Sequence, residues 1–215
     1  MMHDDLLHSL LAGANADGRY YGVVVGVVTN NQDPDSMHRV KVRFPWLKQD
    51  DESNWARVAT LMAGNGRGAY FLPEVDDEVL VAFEHGSVEQ PFVIGALWNG
   101  KDVAHESNSD GNNDNRSIKS RSGHVVRLCD RAGEESIEII DKTGQNRIVI
   151  HAADNSIAIE AQGDISLRSQ TGKVSIQAVG IELNSQADVT VKAATTIDAT
   201  ATAPMSLKGA VINLN

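Results

Sequence analysis

The sequence predicts an all-β chain: a small OB-fold-type barrel followed by an intertwined, triple-stranded β-helix needle, with a short helix at the N-terminus. Three observations carry this reading. Aromatic residues make up 5% of the 215 residues while 41% are hydrophobic, so the apolar content is mostly aliphatic and suits regular β-layers. Five β-type runs separated by turn-forming breaks fall within residues 20–99. From Ile137 onward an apolar-x-apolar triplet returns about every eight residues.

The elements follow in order. In residues 1–19, Leu6, Leu7, Leu10 and Leu11 share one face of a short helix, with Asp4 and Asp5 in its first turn and Gly13 near its end. A helix of about a dozen residues is marginal alone. Its leucine face is therefore expected to dock on protein, because its acidic flank does not suit anionic lipid. Residues 20–99 hold candidate strands Tyr21–Thr29, His38–Phe44, Trp55–Leu61, Glu78–Phe83 and Phe92–Leu97. Five short strands in about 80 residues is the size of an OB-type barrel. Residues 100–122 are nearly devoid of large apolar side chains and read as a polar linker, too short for a further folded enzyme domain.

Residues 123–215 carry the repeat. The flanking positions are Ile137/Ile139, Ile148/Ile150, Ile157/Ile159, Ile165/Leu167, Val174/Ile176, Ile181/Leu183, Val189/Val191, Ile197/Ala199, Met205/Leu207 and Ile212/Leu214. Most middle residues are polar, among them Glu138, Ser166, Glu182, Thr190 and Asp198. A strand offering two inward side chains cannot build a core alone. Either one chain coils as a parallel β-helix or three chains wind so that each layer is a triangle. The single-chain form normally has longer coils and a capping element, whereas this sequence reaches Asn215 directly after its last triplet. The interwoven homotrimer is therefore expected, with Ile157, Ile159, Ile165, Leu167, Val174, Ile176, Ile181, Leu183, Val189, Val191, Ile197, Met205 and Leu207 in its core. Ten layers at the usual strand spacing give a rod of roughly 50 Å.

Charge and cysteine usage exclude several classes. A formal net charge of −10 argues against nucleic-acid binding, which needs clustered Lys and Arg. Three copies would carry three times that charge, expected to keep a needle soluble and repelled by anionic lipid heads. The single Cys129 rules out a disulfide framework and multi-cysteine zinc, and fits synthesis in a reducing compartment. No run approaches the roughly 18 apolar residues of a membrane-crossing helix, and residues 1–5 lack a basic leader.

Chemistry-bearing residues do not assemble into a motif. His3, His8, His38, His85, His105, His124 and His151 are scattered without metal-ligand spacing; His151, directly after a triplet, is the one whose three copies could meet near an axis, but a turn-facing surface histidine is the expected reading. Cys129 ends a probable strand with no histidine beside it. Gly64-Asn65-Gly66-Arg67-Gly68 lacks the strand-loop-helix setting of a phosphate loop and reads as a barrel turn. Asp110-Gly111-Asn112-Asn113-Asp114 lacks the distal Glu of a calcium loop. Asp76/Asp77 and Glu134/Glu135 fall in turns, with no cleft to face across. No catalytic, cofactor or metal residues are expected.

Barrel and octads in this order resemble the central spike proteins of contractile injection systems: baseplate assembly protein V of phage tails and the gp5-like C-terminal part of VgrG proteins. The resemblance rests on His38-Arg39-Val40-Lys41-Val42-Arg43-Phe44-Pro45-Trp46, on Trp55-Ala56-Arg57-Val58-Ala59, on the run from Gly64 to Phe83, and on Gly86 to Asn99, together with the repeat. It implies a structural, non-enzymatic spike in a virion tail baseplate or equivalent injection particle, assembled in the bacterial cytoplasm and driven transiently through a target membrane. The short segment before the barrel implies a separate trimeric hub protein, met by Leu6, Leu7, Leu10 and Leu11, and favours a phage-like particle over a full VgrG. Residues 207–215 lack the His-x-His of metal-tipped spikes, so a PAAR-type tip protein is implied, met by Ile212, Leu214 and Asn215. Two other readings remain. An OB module binding glycan or nucleic acid would stack its ligand on Trp46, Trp55, Tyr70 or Trp98. A polysaccharide-degrading tailspike would need longer coils with groove carboxylates than these repeats supply.

Overall fold

The computed structural model describes residues 18–47 and 52–213. The expected helix with Leu6, Leu7, Leu10 and Leu11 lies outside the described residues, as do Leu214 and Asn215. The chain divides into two units, 1–162 and 163–215. Among the described residues there is no α-helix.

The first unit opens with β1 (Val23–Asn30), β2 (Arg39–Arg43), β3 (Ala56–Val58), β4 (Ala63–Gly64), β5 (Arg67–Gly68), β6 (Glu78–Phe83) and β7 (Pro91–Ala96). Strands β1, β2, β3, β7 and β6 close a barrel in that spatial order. The β3–β7 pair is parallel and the other ladders are antiparallel. Strand alternation makes the barrel's core: Val40 and Val42 of β2, and Val79, Val81 and Phe83 of β6, point inward to meet Val28, Phe44, Ala56 and Val93. Gly26 of β1 leaves room for the Val42 side chain of β2, which a Cβ at that position would overlap. The five expected strands are all present, with ends shifted by a residue or two and β3 shorter.

Aromatic contacts and an ion pair finish the barrel. Tyr20 and Phe44 pack between Trp46 and Phe83, with centroid separations of 4.7 to 6.2 Å. Arg39 holds the 31–38 loop, donating from Nη2 to Asp33 and Asp35 at 2.6 Å each. Those hydrogen bonds keep the Asp33 carboxyl far below the usual carboxylate range.

A second sheet follows: β8 (Asn115–Lys119), β9 (Val125–Cys129), β10 (Ser136–Ile140), β11 (Arg147–His151) and β12 (Ser156–Glu160), an antiparallel meander in chain order. This departs from the sequence reading in two ways. Strand β8 forms inside the stretch expected to be linker, and residues 125–160 pair within one chain rather than winding as octads. The reason lies in the turns. Gly123, Gly133, Gly144 and Asn155 take positive φ between successive strands, the left-handed conformation that reverses a tight hairpin. Beyond Asn155 no described residue has positive φ.

The second unit has no strand paired within the chain among its described residues. Its triplet side chains are exposed, Ile181 by 59% and Leu167 by 75%. Backbone left extended without a ladder cannot be buried unless other strands supply its hydrogen bonds.

Candidate functional site

The meander presents two unlike faces because its five strands share one register. Across the sheet Ile118 pairs with Val126, Val126 with Ile139, Ile139 with Ile148 and Ile148 with Ile159. The next row on the same face runs Arg116, Leu128, Ile137, Ile150, Ile157. Nine of these ten positions are aliphatic, and all nine remain exposed. Large contiguous apolar surface of this kind marks an interaction site. The first row also lines a groove of about 990 Å³ with Phe71, Leu72 and Trp98 of the barrel end.

The opposite face is mixed and partly covered by its own chain: Ser117, Arg127 and Glu138 share it with Val125, Ile140 and the buried Val149. Glu106 accepts hydrogen bonds from Ser117 Oγ at 3.0 Å and Arg127 Nε at 3.2 Å, and Arg127 Nη1 donates to Glu138 at 3.2 Å. Burial opposes the charge of Glu106, yet these donors hold its carboxyl below the ordinary value. The apolar face is thus the one left without partners. Val126-Arg127-Leu128 has the same apolar-x-apolar form as the later triplets, a signal the spacing argument from Ile137 onward passes over. Arg116, standing in an apolar slot, breaks the pattern that would have marked β8.

The expected core residues fall in two places. Ile157 and Ile159 lie on β12, on the aliphatic face. Those from Ile165 to Leu207 lie in the second unit, on extended backbone without in-chain pairing. The charge of the chain is elsewhere: residues 163–215 carry four acidic and four basic side chains, so the −10 belongs entirely to residues 1–162. The expected needle, residues 123–215, thus carries a net charge of −3, all of it before residue 163, and the part after residue 162 is balanced and rich in uncharged Ser and Thr.

Other candidates resolve into structure. Among the described residues no group of three His, Cys, Asp or Glu side chains is arranged to hold a metal ion. His151 ends β11 beside Ser136 and Ser156, on the face opposite Ile148 and Ile150, so it does not point with the aliphatic rows. Cys129 ends β9, half-buried, between Asn115 and Ser136. The glycine-rich run forms the β4–β5 hairpin, Gly66 supplying φ of 65° at its turn. Asp77 accepts a turn hydrogen bond from Glu74 N at 2.8 Å, and Glu135 one from Gly133 N at 3.0 Å.

The proposed stacking platforms are mostly engaged. Trp46 packs on Tyr20 and Phe44, Trp55 lies under Arg39 and Lys41, and Tyr70 stacks on His38 at 4.7 Å. Trp98 meets His105 edge-on, and it and Tyr70 are the most exposed of the four, by 69% and 74%.

Residues 24–98 match the family model described as the type VI secretion system/phage-baseplate injector OB domain. Among curated proteins, the chain is 30% identical over 154 residues to the type VI secretion system spike protein VgrG1c of Pseudomonas aeruginosa, covering 69% of this chain and 20% of that one. It is 34% identical over 142 residues to VgrG4b of the same organism, covering 63% of this chain and 16% of that one. It is 28% identical over 145 residues to VgrG3 of Vibrio cholerae, covering 66% and 14% respectively. The chain thus spans about a fifth or less of the length of these relatives. The barrel is of the injector OB type, and the chain is related to type VI secretion spike proteins.

Proposed function

We propose that three copies of this chain form a structural, non-catalytic central spike of a contractile injection particle. One observation carries the reading: behind an injector-type barrel, residues 163–213 repeat aliphatic pairs every seven to nine residues without any in-chain strand partner. Such backbone becomes satisfied, and such side chains become buried, when strands of two further copies complete each layer. The aliphatic rows of β8–β12 are covered by the same association, each chain supplying one wall of a prism. Ile157, Ile159 and the aliphatic pairs from Ile165 to Leu207 then line a common core. A particle of this kind does its work by stiffness: the force comes from the machine, and the needle, weakly acidic near the barrel and balanced beyond residue 162, passes transiently through the target membrane.

Within the same reading the barrels sit beneath a trimeric hub protein, contacted through Leu6, Leu7, Leu10 and Leu11. Ile212, Leu214 and Asn215 meet a PAAR-type tip protein. The assembled particle belongs to a virion baseplate or an equivalent secretion apparatus built in the bacterial cytoplasm. Sedimentation equilibrium tests the central claim. The expected folded species has three times the 23.1 kDa chain mass, and a folded monomer at micromolar concentration overturns it.

A further inference from the structure

The aliphatic surface has one charged member. Of the ten side chains on that face of the meander, nine are Ile, Leu or Val and the tenth is Arg116, on the edge strand β8. Its guanidinium Nη1 donates to Asp130, which follows the last residue of β9, and also to the Asn113 carbonyl at 3.4 Å. The neighbouring Asp114 is engaged separately, 3.7 Å from Arg131 Nε. Both members of the Arg116–Asp130 pair are about half exposed in the single chain, 54% and 61% by side chain. An exposed pair of this kind contributes little to a monomer.

The repeat creates a problem that such a pair solves. From Ile157 to Leu207 the layers are chemically alike, an aliphatic pair around a mostly polar middle residue. A chain displaced by one layer relative to its two neighbours would still bury aliphatic side chains against aliphatic side chains. Uniform apolar repeats specify association strongly and alignment weakly, and a single buried polar position is the best-attested way to fix register. We propose that Arg116 and Asp130 set the alignment of three copies. In the aligned assembly the three pairs lie at one level and keep their own partners. In a slipped assembly one Arg116 faces the Leu128 and Val126 level of its neighbours and one pair is carried out of the set.

This inference rests on the three-chain reading, and the experiment separates the two. In a full-length C129S/S206C background, a nitroxide label at the polar middle position 206 reports the distance between copies by pulsed dipolar spectroscopy. The reference trimer is expected to give one narrow distance. Replacing the pair by apolar residues, R116M with D130L, is expected to leave a trimer but to replace the single distance with two or more. Reversing the pair, R116D with D130R, is expected to restore the single distance. A single narrow distance in R116M/D130L overturns the register role, as does a charge-reversed variant that slips as much as the apolar one. A reference protein that sediments as a folded monomer and gives no dipolar distance overturns the three-chain reading itself, and the register role with it.

Discussion

The barrel and the segment after residue 162 use similar amounts of aliphatic side chain to opposite ends. In the barrel Val28, Val40, Val42, Val79 and Val81 have no solvent exposure within one chain, and every strand has partners on both sides. In residues 163–213 equally apolar side chains stay open and no strand finds a partner in the chain. What differs is chain reversal. The barrel and the meander return on themselves through turns with positive φ at Ser36, His38, Gly66, Asp76 and the hairpin positions up to Asn155. Among the described residues the later octads have no such turns, and on the proposed reading their core is shared between chains.

The largest expected effect breaks the comparison in two places at once. Val79→Asp puts a carboxylate into the closed barrel, where an unpaired buried charge costs several kcal/mol, and circular dichroism should show loss of the barrel at every protein concentration. Ile181→Asp places its charge on a side chain that is open in the single chain. Sedimentation should show the trimer lost while the barrel's near-ultraviolet signal survives. If Ile181→Asp also unfolds the barrel, the two regions are not independent in the way their burial indicates.

Next in size are truncations within each core. Phe44 is 2% exposed and touches both Trp46 and Phe83, so Phe44→Ala should cost about 3–5 kcal/mol, read as a urea midpoint shift that does not depend on protein concentration. Ile176→Ala should lower the midpoint too, but there the midpoint itself should rise with protein concentration in parent and variant alike, because association and folding are linked. Equal concentration dependence for both variants would erase the distinction.

How much of this was legible in the sequence follows the same division. The barrel's strands were readable because Val40-Lys41-Val42 and Glu78-Val79-Leu80-Val81-Ala82-Phe83 alternate against a one-sided core bounded by turn residues. The meander departs from the octad reading although its Ile137, Ile148 and Ile157 triplets look like the later ones; the left-handed residues in the intervening turns set these in-chain hairpins apart from the later octads. Strand β8 was missed because Asn115-Arg116-Ser117-Ile118-Lys119 has one apolar residue. Its pairing comes from β9 alongside and not from its own propensity, which no local pattern records. The Arg116–Asp130 pair was invisible for the same reason: it exists only once β8 is aligned with β9.

A smaller effect sharpens the contrast in backbone crowding. Gly26→Ala drives a methyl into Val42 of the closed barrel, and overpacking of this kind costs about 1–3 kcal/mol. Gly163 has open space around its Cβ position and no positive φ, so Gly163→Ala should leave the barrel's thermal midpoint unchanged. A loss for Gly163→Ala comparable to that of Gly26→Ala would mean that residue 163 is packed as tightly as the barrel's interior.

The smallest expected effect compares two loops of the first unit by their acid sensitivity. Asp141 closes the turn between β10 and β11: the Thr143 hydroxyl donates to it at 2.8 and 2.9 Å, and Asn146 donates through its side chain at 3.0 Å and its backbone at 3.2 Å. These bonds hold its carboxyl down to about 2. Asp33 in the barrel is held further below the carboxylate range by Arg39. A carboxylate with a depressed folded-state pKa contributes stability that is fully present above its unfolded value of about 3.9 and is lost as pH falls through the folded value. Both loops should therefore begin to weaken near pH 4. The Asp141 contribution should be exhausted near pH 2, while the Asp33 contribution continues to fall at lower pH because its guanidinium partner stays charged. Carboxyl carbon shifts followed by NMR should give Asp141 a midpoint near 2 and Asp33 a lower one, and Asp141→Asn should flatten the sheet's acid dependence without touching that of the barrel. The reverse order of midpoints would show that the hydroxyl and amide donors around Asp141 outweigh a bidentate guanidinium, and the barrel would no longer be the more acid-resistant of the two.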